Sequence, residues 1–206
     1  MIVKSEFLKI YLKCFLILTL FLSCSKDKFI LKLNKEQIIL IQPFKDLNIK
    51  DANEIAIKIK EFSPKVEILK PIDFPENSYY LPRNRYRADL IIKYLNKNTE
   101  FGFVKLGLTS KDISATKGKN LDFGIMGLGY RPGKACVASN FRLDKRNNEQ
   151  FFKIAIHELG HTLGLKHCPN KTCFMRDAEG GNPTNEETGF CDKCKAYLKT
   201  NNWKFN

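Results

Sequence analysis

Histidine is scarce in this chain, with three residues in 206. All three fall between positions 157 and 167, so imidazole chemistry is confined to one short stretch. There is no arginine-rich block and no aromatic–basic alternation of the kind that stacks bases. The densest basic cluster, PRNRYR at 82–87, is short. The net charge is nevertheless +13, from 35 Lys+Arg against 22 Asp+Glu. Its lysines are spread along the whole chain, which reads as a solvated surface and not as a nucleic-acid face. No internal repeat and no low-complexity segment is present, which excludes a solenoid or an array. The apolar run Cys14–Leu22 is about half of what crosses a bilayer, which excludes it as a span. What remains is ordinary for one domain with a real core: 43% apolar and 28% charged residues.

The first residues are set aside before the fold is considered. Lys4, Lys9 and Lys13 precede the Cys14–Leu22 run, and Ser23-Cys24 follows it. This is a charged n-region, a short h-region and a small residue at a cleavage point. LFLSC resembles a bacterial lipoprotein signal, which implies removal of residues 1–23 and a lipid on Cys24. An ordinary secretory peptide with an incidental cysteine is the alternative. Lipid tails insert by burying CH₂ groups. The expected mature chain, 24–206, is therefore tethered to a membrane, in the periplasm or at the cell surface, and is read as a monomer.

Beyond the leader, IILIQPF (38–44) is a continuous apolar run expected to be a buried strand. DANEIAIKIKEF (51–62) has Asp51 and Glu54 at capping-box spacing and predicts a helix. VEILKPI (66–72) predicts a strand, RYRADLIIKYLNK (85–97) a helix and FVKLGLTS (103–110) a third strand. LDFGIMGLGY (121–130) and KACVASNFRL (134–143) are strand-like and flank a Pro-Gly turn at 132–133. The order predicts a mixed α/β sheet. Cys136 stands alone in its strand and reads as a small buried residue.

NNEQFFKIAIHELGHTLGL (147–165) carries the strongest helical pattern. Asn147 can cap it, with Gln150 three residues on. Phe152, Ile156, Leu159 and Leu163 form one apolar stripe. Gly164 can terminate it, because glycine tolerates positive φ. Within it lies HELGH, the H-E-x-x-H pattern. Residues four apart share a helix face, so His157 and His161 can aim ring nitrogens at one ion. Glu158 sits close enough to reach water on that ion without binding it. Past the glycine, His167 returns as a third donor. Three imidazoles with one open position suit a hydrolytic zinc, and H-E-x-x-H-x-x-G-x-x-H is the metzincin form of the motif.

Cys168 follows His167 directly. Cys173 and Met175 come next, and a C-x-x-C pair, Cys191 and Cys194, closes the set. Over residues 157–194 this arrangement resembles the archaemetzincins, zinc peptidases with a cysteine-rich segment after the zinc helix. The resemblance implies an α/β (α+β) fold with a mixed twisted sheet, an active-site helix and a small cysteine-rich C-terminal lobe. The lobes would span 24–164 and 165–206. It implies a catalytic zinc on His157, His161 and His167, with Glu158 as general base and then acid. Met175 would form a methionine turn beneath the metal, and Cys168, Cys173, Cys191 and Cys194 would hold a second, structural zinc. It also places strands 103–110 and 121–127 in the sheet above the helix, with a peptide antiparallel to an edge strand. Four thiolates suit a closed tetrahedral shell. Two disulfides compete, because an exported domain lies where disulfides persist.

The expected reaction is zinc-dependent hydrolysis of peptide or protein substrates. A different class of reading is a non-catalytic, zinc-stabilised surface lipoprotein that binds peptides or a partner. The intact Glu158 favours the enzyme, since binding alone needs no base. No tyrosine follows Met175, so no oxyanion stabiliser is named. No pro-segment cysteine is found to hold the site latent.

Overall fold

The computed structural model describes residues 37–143 and 147–205. The reading of residues 1–23 as a leader and of Cys24 as lipidated falls outside them. No helix among the described residues is long and apolar enough to cross a membrane.

Strand β1 (Ile38–Pro43) is the buried apolar run, ending in proline. Helix α1 (Ile49–Lys60) carries the chain over to the parallel strand β2 (Val66–Ile68). Short strands β3 (Tyr79–Tyr80) and β4 (Arg85–Arg87) precede helix α2 (Ala88–Lys97) and strand β5 (Phe103–Thr109). Strands β6 (Ile113–Lys117), β7 (Asn120–Ile125), β8 (Gly127–Gly129) and β9 (Ala135–Ser139) follow. Helix α3 (Asn148–Thr162) and the short α4 (Asp192–Lys199) complete the order.

The strands form two sheets, β2-β1-β5-β9-β8 and β3-β4-β6-β7. In the larger, β1, β2, β5 and β9 are parallel and β8 is an antiparallel edge. Both faces of a parallel sheet must be covered, and alternation along β9 shows how. Cys136 and Ala138 join the core made with α1 and α3, whereas Ala135 and Val137 join the one made with α2. Each covering helix presents a stripe at i, i+3, i+4 and i+7: Ala52, Ile55, Ala56 and Ile59 on α1, and Ala88, Ile91, Ile92 and Leu95 on α2. Residues beyond Gly164 share the α3 core through Phe174, Met175, Phe190, Leu198 and Trp203.

The mixed α/β class is as expected, and several boundaries differ. The helix expected from Arg85 begins at Ala88, because Arg85–Arg87 is drawn into the smaller sheet. Its anchor is the Arg85 guanidinium, with Nε 3.1 Å from Asp112 and Nη1 3.3 Å from Asp122. Asn48, not Asp51, caps α1, accepting from the Lys50 amide at 2.9 Å. The strand expected over 66–72 stops at Ile68, ahead of Pro71, and Ile72 only bridges to Phe44. Strands 103–110 and 121–127 do not share one sheet. The first is central in the large sheet, and most of the second is the edge of the small one. Met126 separates β7 from β8, so the stretch 120–129 passes from one sheet edge to the other.

Candidate active site

Helix α3 starts as its sequence directs, with the Gln150 amide donating to Asn147 Oδ1 at 3.1 Å. It ends at Gly164, whose φ is +106°. The Gly164 amide donates to His161 O at 2.8 Å and the Leu165 amide to Gly160 O at 3.1 Å. These bonds close the helix with the glycine in left-handed backbone. The turn brings the chain back, and His167 reaches the helix face that carries His157 and His161. One ligand atom from each of the three rings lies within 4.8 Å of the others.

The tautomers are set by what holds the other ring nitrogen. His157 Nδ1 is 2.6 Å from the Phe174 carbonyl and His161 Nδ1 is 2.8 Å from that of Leu165. His167 Nδ1 is 2.9 Å from Asp177 Oδ2. Each Nδ1–H is thereby donated outward, which leaves each Nε2 lone pair facing inward. The Nε2 atoms of His161 and His167 stand 3.2 Å apart. Two nitrogens bound tetrahedrally to one zinc are about 3.3 Å apart for bonds of 2.0–2.1 Å. Burial lowers the pKa of His157 to about 3 and also lowers that of His161, so both are neutral donors at pH 7. The donor set fits zinc.

Glu158 is buried beneath the edge strand β8. A β-carbon on Gly127 would stand 2.5 Å from Glu158 Oε1, and one on Gly129 would stand 3.2 Å from Oε2. Only glycine leaves room here for the carboxylate. Burial raises its pKa to about 8. The same burial, with Glu158 nearby, pushes the Cys136 thiol well up, and Cys136 is the inert core residue its strand suggested. Met175 lies under the helix. A β-carbon on Gly160, between the two helical histidines, would meet its Sδ at 2.5 Å. The cleft over this centre is walled by β6, β7 and β8 on one side and the residue 176–187 loop on the other.

The cysteines gather just beyond. The sulfurs of Cys168, Cys173, Cys191 and Cys194 lie within 4.8 Å of one another and none is disulfide-bonded. Cys168 and Cys191 are 3.6 Å apart, and Cys173 and Cys194 are 3.8 Å apart. Four sulfurs around one zinc at 2.3 Å would be about 3.8 Å apart. The amides of Met175 and Cys191 donate to Cys173 Sγ at 3.5 and 3.4 Å, which suits a thiolate ligand. The set therefore fits a closed metal site better than two disulfides.

The metal, base and methionine residues singled out from the sequence thus fall into two clusters and their supports, with Cys136 in the core. Asp177 was missed, as were the Phe174 and Leu165 carbonyls and the glycines over Glu158. No spacing rule marks a carboxylate ten residues past a histidine, and backbone carbonyls carry no side-chain signal.

Comparison with known proteins agrees with this geometry. The profile of peptidase family M54 matches residues 83–200. An archaemetzincin from Archaeoglobus fulgidus is 35% identical over 145 residues, 68% of this chain and 85% of that protein. One from Methanocaldococcus jannaschii is 34% identical over 172 residues, 78% and 92% of the respective chains. Among solved structures, archaemetzincin from Archaeoglobus fulgidus complexed with malonate superposes with a TM-score of 0.66 and 30% identity, over 78% of this chain and 99% of that one. The Methanopyrus kandleri archaemetzincin gives 0.69 and 27%, over 82% and 97%. With the family matched over more than half of its length and two relatives above 30% identity, the chain belongs to peptidase family M54, the archaemetzincin zinc metallopeptidases.

Proposed function

We propose that the chain hydrolyses peptide bonds with Glu158 as general base, and that His157, His161 and His167 hold the zinc on which this depends. The observation that carries the reading is the convergence of three Nε2 atoms, each with its Nδ1 tied outward, beside a buried carboxylate in an open cleft. When bound, zinc polarises the scissile carbonyl and lowers the pKa of a water ligand to about 7. Glu158 takes the proton of the attacking water and passes it to the leaving amine. Its raised pKa suits a proton acceptor, and the charge of a nearby cation draws that value back down. Gly127 and Gly129 leave room for its oxygens beside β8. The edge of β7, unpaired among the described residues, supports docking of the peptide as an added strand.

Cys168, Cys173, Cys191 and Cys194 are proposed to hold a second, structural zinc, with Met175 as the floor of the first. Residues 24–164 and 165–206 would form the upper and lower lobes. Cys24 is proposed as the lipid-bearing first residue of the mature chain, tethered in the periplasm or at the cell surface. The chain is proposed to act as a monomer.

The test is Glu158→Gln, with metal content read alongside turnover on a panel of unstructured peptides. Zinc content should be unchanged and kcat should fall about 10²–10⁴-fold. Full activity in that variant, or activity unaffected by a chelator, would refute the assignment. Two zincs per chain support the cysteine site. One zinc with the four thiols oxidised would reassign it to disulfides.

A further inference from the structure

One arm of the cleft runs from the histidines toward the residue 176–187 loop, as a cavity of about 390 Å³. Its charged lining groups are nearly all spoken for. The Arg142 guanidinium grips Asp112 with both Nε and Nη2, at 2.8 and 3.0 Å. Arg176 Nη1 lies 2.6 Å from Glu186. Lys153 Nζ donates to the carbonyls of Thr184 and Glu187 at 2.9 and 2.7 Å, and lies 3.9 Å from Glu149. Asp177 holds His167. Lys117 stands exposed at the rim, 4.8 Å over the Phe123 ring.

Two acids are left over: Glu158, already proposed as the base, and Glu187. Glu187 lines the same cavity and is only 4% exposed. Its carboxyl has no hydrogen-bond or ion-pair partner among the described residues. A buried carboxylate without a partner is costly. Such a group facing a binding cleft marks a place where a partner arrives from outside. The charges of Lys153 and Arg176 act on Glu187 from a distance, but their nitrogens are bonded to other groups, so a cation in direct contact is what this carboxyl lacks. A second carboxylate would add to the deficit, and an apolar group would leave it standing. Ile125, Ile154 and Pro183 line the same arm and offer apolar wall to a methylene stem. Lys117 opposes a cation only from solvent, where screening weakens it.

We propose that Glu187 is a specificity-determining residue, and that this arm takes a lysine or arginine side chain of the bound peptide. The proposal rests on the peptidase reading above and deepens it. Glu187 contacts the substrate's cation and not the reacting atoms.

The experiment uses the zinc-loaded chain and matched peptides that carry Lys, Leu or Glu at one position at a time. At one position, kcat/KM for Lys should exceed that for Leu by at least about tenfold. In Glu187→Gln the Lys/Leu ratio should collapse toward one, and in Glu187→Asp part of it should survive. A thermal melt of each variant reports folding, and Glu187→Asp carries the test if Glu187→Gln does not fold. Equal cleavage of Lys, Leu and Glu peptides at every position would overturn the inference, as would a Lys preference that persists in Glu187→Gln. If wild type cleaves no peptide, the peptidase reading fails separately. Calorimetric binding of the Lys peptides then decides: binding weakened at least about tenfold by Glu187→Gln supports the inference, and unchanged binding overturns it.

Discussion

The three histidines line a cleft, and the four cysteines line neither cavity described here. Both clusters bring their donor atoms within 4.8 Å, and both have second partners that orient the donors. They differ in what else is present. Beside the histidines sit a buried carboxylate, glycines that make room for it and an open strand edge. Around the cysteines sit Phe174, Phe190, Leu198 and Trp203, all buried. Three donors with an open side leave a metal free to meet substrate, whereas four donors close its shell. On the proposed reading, the same segment carries one centre for chemistry and one that holds the chain in shape.

The sharpest way to break this contrast is to remove one donor from each. His161→Ala should abolish hydrolysis and lose one zinc, with the thermal midpoint little changed. Cys194→Ala should instead lower the midpoint by about 10 °C or more, because it opens a closed metal site in the core. Calorimetric melts with metal analysis on both variants read the outcome. Equal midpoints would dissolve the distinction.

A smaller effect is expected from the partners that orient the donors. Asp177→Asn removes the carboxylate behind His167 and should weaken zinc binding at the histidine site about 10–100-fold. A chelator competition read for both zincs checks this, and the cysteine-bound zinc should not respond.

The smallest effect concerns stability alone. Burial raises the pKa of Glu187 from 4.5 to about 7; Lys153 and Arg176 oppose the rise and Glu186 adds to it. The folded chain therefore holds this proton at pH values where the unfolded chain has released it. The group's contribution is fully present below the unfolded pKa and is lost as pH rises through about 7. In melts from pH 4 to 8, the wild-type midpoint should fall relative to that of Glu187→Gln as pH rises. A difference constant with pH would show that the carboxyl ionises alike in both states.

The site was more legible in the sequence than the sheet around it. His157 and His161 are four apart on a helix, Gly164 stops that helix, and His167 and the cysteines follow within short loops. Local geometry, written in spacing, fixes nearly all of it. The cap at Asn147 was legible for the same reason. Arg85–Arg87 was not, because helical periodicity there is overridden by ion pairs to Asp112 and Asp122, distant in sequence. The division of 120–129 between two sheets was equally hidden, since pairing partners are not written in the strand itself. Asp177, Gly127 and Gly129 matter through what approaches them, and that is known only once the chain is folded.

A single peptide bond joins His167 to Cys168, and the Cys168 amide donates to the Met175 carbonyl at 2.7 Å. The backbone that delivers the third imidazole is therefore the backbone that the sulfur cluster clamps. On the proposed reading, whatever loosens the sulfurs should displace the third imidazole and lower hydrolysis, even with Glu158 untouched.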